Sequence, residues 1–208
     1  MAYDFSRSEG MVIAARTQGE ADMVYVIYSR DYGAISVFAK GIRYEKSKIR
    51  GHLELFTHVR FAFVTGKERY RLTYATSVEV FHGIWNDLAR FRAASRITNL
   101  VKELITGAEP DEHVWLLLKD AMYALNAEGY VPGQAVAFWY TFQLKLFSLL
   151  GYMPEAKPRI ADAILQFPKP FPPILFSQLE RAELTDFLKS IHAYALPRSS
   201  SKNSFFLT

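Results

Sequence analysis

Five short β-segments fill the first eighty residues, and no helix among them is long enough to connect parallel strands. β-branched and aromatic residues dominate these segments, as is typical of strands. The predicted strands are residues 11–16, 23–28, 34–39, 55–64 and 69–81. Because a parallel crossover needs a dozen or more residues, these strands must pair mainly antiparallel. Five of them in this length predict a small closed barrel of the OB-fold type.

Alternation in the last strand predicts which side chains face the barrel core. Tyr70, Leu72 and Tyr74 are expected on the inner face, opposite Arg69 and Arg71. These tyrosines, and Tyr44 between the third and fourth predicted strands, could offer stacking surfaces to nucleic-acid bases. Burial in the core is the commoner role of such tyrosines, and we favour it for each of them.

From residue 83 the apolar spacing becomes helical. We expect helices over 85–105, 111–125, 132–150 and 177–194. Asp111 is the expected N-cap of the second, and Ser177 with Glu180 forms a capping box for the last. The predicted class is α+β, with an OB-fold nucleic-acid-binding domain over 1–82 and a helical domain over 83–208. Prolines make 154–173 an irregular segment.

Several absences narrow the chemistry. The chain has no cysteine, and its five histidines are scattered without an i, i+4 pair. No Walker loop, GxSxG or HExxH motif occurs. We therefore expect no enzyme and no cofactor. The start of the sequence lacks the apolar run of a secretion signal, and the apolar run 135–150 is interrupted by Gln143 and Lys145. We expect a soluble, cytoplasmic protein without a membrane partner.

Positive charge is concentrated between Lys40 and Arg71. This span has nine basic and three acidic residues, whereas the whole chain has a net charge of +4. Such a segment on a nearly neutral body favours a polyanion partner. The candidate phosphate contacts are Lys40, Arg43, Lys46, Lys48, Arg50, Arg60, Arg69 and Arg71. A merely solvated loop is the alternative, but the density and single sign of the charge favour binding.

Five ordered segments stand out together in this sequence. They are Gly19–Asp22, Ser29–Gly33, Phe38–Lys48, Leu53–Phe56 and Leu146–Pro154. In this order they resemble the RecO family of bacterial recombination mediators, and the last helix and Ser204–Leu207 match more faintly.

The resemblance implies an OB-fold on a helical domain and a function without catalysis. Such a protein binds single- and double-stranded DNA, promotes strand annealing and helps load a recombinase onto DNA coated by single-stranded DNA-binding protein. The implied partners are RecR and the acidic C-terminal tail of that coating protein, with a nucleoid-associated location. The DNA contacts carried over by position are Lys40, Arg43, Lys46, Lys48 and Arg50, and Arg60, Arg69 and Arg71 extend them.

One departure from the family pattern concerns zinc. Many members carry a four-cysteine zinc module after the segment that corresponds to Gly151–Pro154. Here the stretch from Glu155 to Pro173 contains prolines, Lys157 and Arg159 but no ligand set. We therefore predict a family member without zinc.

Two other functions fit the same residues. Phosphate-directed loops discriminate poorly between DNA and RNA, so an RNA-binding OB-fold protein is one alternative. A non-catalytic adaptor that acts through its helical domain is the other.

Overall fold

The computed structural model describes residues 5–66, 69–105, 107–128, 130, 134–167, 171 and 176–195. The chain divides into two compact units. The first comprises Met1–Phe81 with Gly107–Trp115, and the second comprises His82–Thr106 with Leu116–Thr208.

The first unit is a closed five-stranded barrel, which confirms the predicted fold. The strands are β1 (Phe5–Gln18), β2 (Asp22–Ser29), β3 (Gly33–Ala39), β4 (His58–Thr65) and β5 (Tyr70–Glu79). Their order around the barrel is β1-β2-β3-β5-β4. All neighbours pair antiparallel except β3 and β5, which pair parallel over two residues each.

Strand β1 pairs with two neighbours, and the change of partner occurs near Gly10. This residue lies opposite both Ser29 on β2 and Val59 on β4. A Cβ atom there would lie 2.6 Å from Ile27 Cγ2 and 2.7 Å from the carbonyl oxygen of Tyr28. Only glycine therefore allows the two strands to approach each other this closely.

A single apolar cluster fills the barrel. It includes residues from every strand and from the connector between β3 and β4. Its buried members are Val12, Tyr25, Ile27, Ile35, Val37, Ala39, Ile42, Leu53, Val59, Phe61, Phe63 and Ala75. The hairpin that brings β2 to β3 turns at Gly33, whose φ of +62° lies in the left-handed region that glycine adopts without strain.

The prediction that Tyr74 faces the core is wrong. Tyr70 and Leu72 pack against the core cluster, but Tyr74 is 53% exposed. The register between β4 and β5 shifts at Thr73, where the threonine hydroxyl donates to the Ala62 carbonyl at 3.1 Å. A bulge adds one residue to its strand, so the side chains beyond it change faces.

The helices are α1 (His82–Trp85), α2 (Leu88–Leu104), α3 (Glu112–Asn126), α4 (Gln134–Leu149), α5 (Arg159–Gln166) and α6 (Gln178–Ala195). The first turn of α3 belongs to the first unit, and the rest of the helices belong to the second. Within the part of the chain that the structure describes, none of these helices is long and apolar enough to span a bilayer.

The predicted caps are present at two helix starts. Asp111 Oδ1 accepts from the backbone N–H groups of His113 and Val114 at 2.9 and 3.1 Å. At the start of α6, the Glu180 carboxylate accepts from Ser177 N at 2.8 Å, and Ser177 Oγ accepts from Glu180 N at 3.3 Å. This reciprocal pair is the predicted capping box.

Two helix predictions need correction. The helix expected over 85–105 is divided, because Asp87 Oδ1 accepts from the N–H groups of Ala89 and Arg90 and starts α2. The segment expected to be irregular over 154–173 contains α5, which begins directly after Pro158. Its sequence is free of proline up to Gln166, so nothing interrupts its backbone hydrogen bonds. The predicted helix start at residue 132 and the segment Ser204–Leu207 lie outside the described residues.

Helix α4 supplies much of the core of the second unit. Three of its aromatic side chains are buried, since Phe138, Phe142 and Phe147 are 7%, 0% and 0% exposed. A polar contact crosses from this helix to α6, where His192 Nε2 lies 2.7 Å from Gln143 Oε1. The imidazole ring also meets Phe147 edge to face at 4.9 Å.

We expect Gly10→Ala to lower the free energy of unfolding by about 1–3 kcal/mol, the usual cost of overpacking. The added methyl would clash with Ile27 and the backbone of β2. Gly51→Ala is the matched control, because a Cβ there meets nothing within 4 Å. Chemical denaturation measures both variants, and an equal effect at the two glycines would contradict the close approach of the strands.

Burial lowers the pKa of His192 below its ordinary value of 6.5, against a smaller opposing effect of the Glu103 carboxylate. The folded state therefore disfavours the protonated ring, and below pH 6.5 the unfolded chain binds more protons than the folded one. We expect stability to fall as the solution is acidified through this range. His192→Gln keeps an N–H for Gln143 but does not titrate, so its melting temperature should depend less on pH. Melting curves between about pH 5 and 8 test this, and equal slopes would contradict it.

Candidate nucleic-acid interface

The connector between β3 and β4, residues 40–57, is fastened to the barrel by apolar side chains. Ile42 and Leu53 are each 2% exposed and belong to the core cluster, and Ile49 packs against the same cluster. The connector's basic side chains lie between and beside these anchors, and all are exposed: Lys40, Arg43, Lys46, Lys48 and Arg50. The charges are therefore presented by an anchored segment rather than by a loosely solvated loop.

The start of the connector is tied to the turn between β1 and β2. Gly41 N donates to Asp22 Oδ1 at 2.6 Å, and Arg43 N donates to the Ala21 carbonyl at 3.0 Å. Asp22 and the turn beside it therefore hold the backbone that carries Lys40 and Arg43.

The far end of the connector reaches β5. A short 3₁₀ helix over Arg50–His52 brings His52 Nδ1 to within 3.1 Å of Ser77 Oγ. The connector then rejoins the sheet where Phe56 N donates to the Val12 carbonyl at 2.9 Å. Lys46, Lys48 and Arg50 thus follow a path from the β1–β2 turn towards β5.

A second group of basic residues surrounds Phe38 on the outer face of the barrel. The Arg69 guanidinium lies 4.6 Å from the centre of the Phe38 ring, in cation–π geometry. Arg71 pairs with Phe38 across the parallel β3–β5 ladder. Arg69 Nη1 also donates to Gln18 Oε1 at 3.3 Å, at the end of β1. We call Phe38, Arg69 and Arg71 the platform.

Phe38 was not predicted as a stacking residue from the sequence. The residues considered for that role were three tyrosines, and burial in the core was favoured for each of them. Tyr70 does pack against the core cluster, with its ring 4.9 Å from that of Phe63. Tyr44 is 66% exposed, so the core prediction is wrong for it as well as for Tyr74. The signal for Phe38 was its place in β3, where it alternates with the inward-facing Val37 and Ala39.

Arg60 lies apart from the platform and the connector. In the strand register it lies opposite Glu9 on β1 and Thr76 on β5. Its side chain lines an outer groove with a volume of about 670 Å³. The structure therefore arranges the eight predicted basic residues in three groups: the connector, the platform and this groove.

The electrostatic setting favours an anion at all three places. All eight predicted side chains are exposed. Among the described residues, none of the eight forms an ion pair with a carboxylate. Unpaired guanidinium and ammonium groups can exchange their counterions for phosphates at little cost. In the described part of the chain, no three histidine, aspartate or glutamate side chains come together in a metal site.

Two family models match consecutive parts of the chain. The model for the N-terminal part of recombination protein O matches residues 1–81, and the model for its C-terminal part matches residues 86–158. Together the matches span about three quarters of the sequence.

Curated bacterial proteins named DNA repair protein RecO are similar over the same region. The relative from Rubrobacter xylanophilus is 37% identical over 151 residues, which are 72% of this chain and 58% of the relative. Those from Pelotomaculum thermopropionicum and Acetivibrio thermocellus are 33% and 30% identical, over 71% and 73% of this chain and 56% and 59% of the relatives. The matches thus reach somewhat more than half of each relative's length.

We expect Asp22→Ala to loosen the start of the connector, because it removes the carboxylate that accepts from Gly41 N. Hydrogen bonds to charged groups contribute about 1.5–3 kcal/mol, and the incomplete burial of Asp22 favours the lower end. The readouts are the free energy of unfolding and amide hydrogen exchange at Gly41. Glu20→Ala, at an exposed position in the same turn, is the control. Equal exchange rates at Gly41 in both variants would show that the contact does not hold the connector.

Proposed function

This chain belongs to the RecO family of DNA repair proteins, and we propose that it acts as a recombination mediator without catalysis. It binds single- and double-stranded DNA, promotes the annealing of complementary strands and helps a recombinase to load onto DNA coated by single-stranded DNA-binding protein. Its partners in this role are RecR and the acidic C-terminal tail of the coating protein.

The anchored connector is the observation that carries this proposal. Five exposed basic side chains follow one another along it, and Ile42 and Leu53 fix their backbone in the barrel core. Because the segment is already ordered, little conformational entropy remains to be lost when phosphates bind. Arrays of lysine and arginine on ordered backbone are typical of surfaces that follow a nucleic-acid backbone without reading its sequence.

The platform supports binding to single strands in particular. Phe38 is only partly buried, so a base can stack on the accessible part of its ring while Arg69 and Arg71 meet the phosphates on either side. OB-folds commonly bind oligonucleotides on the face of their second and third strands and on the adjoining loops. Phe38 lies on β3, and Arg69 lies in the turn that leads into β5.

The second unit supplies a candidate site for the acidic tail. A cavity of about 380 Å³ lies between the residues that follow α4 and the end of α6. Tyr152, Met153, Ile191 and Tyr194 line it. An apolar cavity of this size suits one aromatic side chain of a peptide.

We expect the triple variant Lys46→Ala, Lys48→Ala, Arg50→Ala to bind single-stranded DNA more weakly and with less dependence on salt. Each lost phosphate contact should reduce the slope of log K against log salt concentration by about 0.7, hence by about 2 in total. The matched control removes three exposed charges from the second unit, with Arg92→Ala, Arg96→Ala and Lys189→Ala. Fluorescence anisotropy over a salt series measures both.

Two comparisons complete this test. If the triple variant and the control bind alike, the connector is not the DNA site. An annealing assay on DNA coated with single-stranded DNA-binding protein then separates the proposed function from the RNA alternative. Loss of annealing in the triple variant supports the mediator, whereas tighter binding of RNA without annealing of DNA would favour an RNA-binding protein.

A further inference from the structure

The platform is one end of a row of side chains that crosses four strands of the barrel. Arg71 pairs with Phe38 on β3 and with Val64 on β4, and Val64 in turn pairs with Phe5 on β1. An aromatic ring stands at each end of the row, because Phe5 on β1 is 48% exposed and Phe38 on β3 is partly buried. Side chains opposite each other in a ladder are neighbours on one face of the sheet.

The next row repeats the combination of an aromatic ring with arginine. Arg7 on β1, Ala62 on β4 and Tyr74 on β5 are register partners. The Arg7 guanidinium lies 5.0 Å from the centre of the Phe5 ring. Phe5, Arg7 and Tyr74, together with Arg60, line the groove described above, and Ala62 lies at its floor. The small side chain of Ala62 lies between Arg7 and Tyr74 in this row and fills little of the groove.

The charges of the groove distinguish a nucleotide from an acidic peptide. The Glu9 carboxylate already has two partners: Oε2 lies 3.2 Å from His58 Nε2, and Oε1 lies 3.8 Å from Arg30 Nη1. Arg7 and Arg60, by contrast, form no ion pair among the described residues. Two guanidinium groups are thus available for phosphate.

The groove also contains the Asp31 carboxylate, which can contact a nucleotide base favourably but not an acidic peptide. Its Oδ2 accepts from Ser8 Oγ at 2.6 Å, and the side chain is exposed in the groove. A carboxylate can accept a hydrogen bond from the amino group of a base, whereas it repels an acidic peptide. The combination of rings, guanidinium groups and carboxylate therefore fits a nucleotide.

We propose that single-stranded nucleic acid runs from the platform across β5 and β4 into this groove, where a base lies between Phe5 and Tyr74 and its phosphates meet Arg7 and Arg60. This path rests on the proposed function and extends it to the outer face of β1, away from the face of the second and third strands that OB-folds commonly use. Phe38 and Phe5 are separated by three strand spacings, about 14 Å, or roughly four nucleotides at stacked spacing.

The length of the DNA tests the path. We compare an oligodeoxycytidylate of about two residues, which is too short to reach from Phe38 to Phe5, with one of about twelve, within the range that one OB-fold covers. The double variant Phe5→Ala, Tyr74→Ala should bind the long strand about fivefold or more weakly, the loss expected for one base–aromatic stack. Its affinity for the short strand should stay unchanged. Tyr123→Ala with Phe167→Ala, two exposed aromatic residues of the second unit, is the control.

Crosslinking to the unaltered protein gives a second readout that does not depend on the folding of a variant. Long strands carrying 5-iodouracil should form photocrosslinks to Tyr74 or Phe5 as well as to Phe38, identified by mass spectrometry of the peptides. Crosslinks to Phe38 alone would overturn the path. Failure of the proposed function looks different, because binding would then be indifferent to the connector variant as well.

An acidic, phenylalanine-ended peptide is the competing ligand. If it abolishes the crosslinks at Tyr74 but leaves those at Phe38, and the double variant binds long strands normally, the groove is a peptide site and the proposal is wrong. If it leaves both crosslinks in place, the nucleotide assignment stands.

Discussion

The barrel depends on one strand that serves two neighbours. β1 pairs with β4 through its first half and with β2 through its second, and the exchange occurs around Gly10, where the backbones are too close for any side chain. Without this exchange the five strands would form an open sheet with two free edges. Closure also brings β3 beside β5, and so creates the parallel ladder on which the platform stands. The binding surface is therefore a product of closure and not of any one strand.

In the connector, apolar and charged side chains have separate roles. Apolar side chains determine where the segment lies, and charged side chains determine what it can bind. Ile42 and Leu53 are covered by the barrel, while the basic residues between them remain in solvent. Substitution of the exposed positions should therefore change affinity with little effect on the fold, since surface substitutions away from caps and cores usually alter stability by less than about 0.5 kcal/mol.

Local patterns predicted the elements that depend on neighbouring residues. The strands and the caps at Asp111 and Ser177 follow from short-range chemistry. The bulge at Thr73 did not, because it depends on a hydrogen bond to Ala62 on another strand. The role of Phe38 was missed for a similar reason: nothing near it in sequence shows that Arg69 will lie over its ring. The eight basic residues were found by charge density, but their division into three groups is a property of the closed barrel.

The ladder between β3 and β5 has a further consequence. It consists of only two register pairs, Val37 with Tyr70 and Phe38 with Arg71, whereas each antiparallel ladder has at least seven. The shortest seam of the barrel thus lies directly beneath the platform. A ligand that spans Phe38 and Arg71 would act as a clasp across this seam, and any ligand that binds only the closed form stabilises it. Ligand bound at the platform therefore disfavours local opening of the β3–β5 ladder, and local opening of this ladder weakens ligand binding.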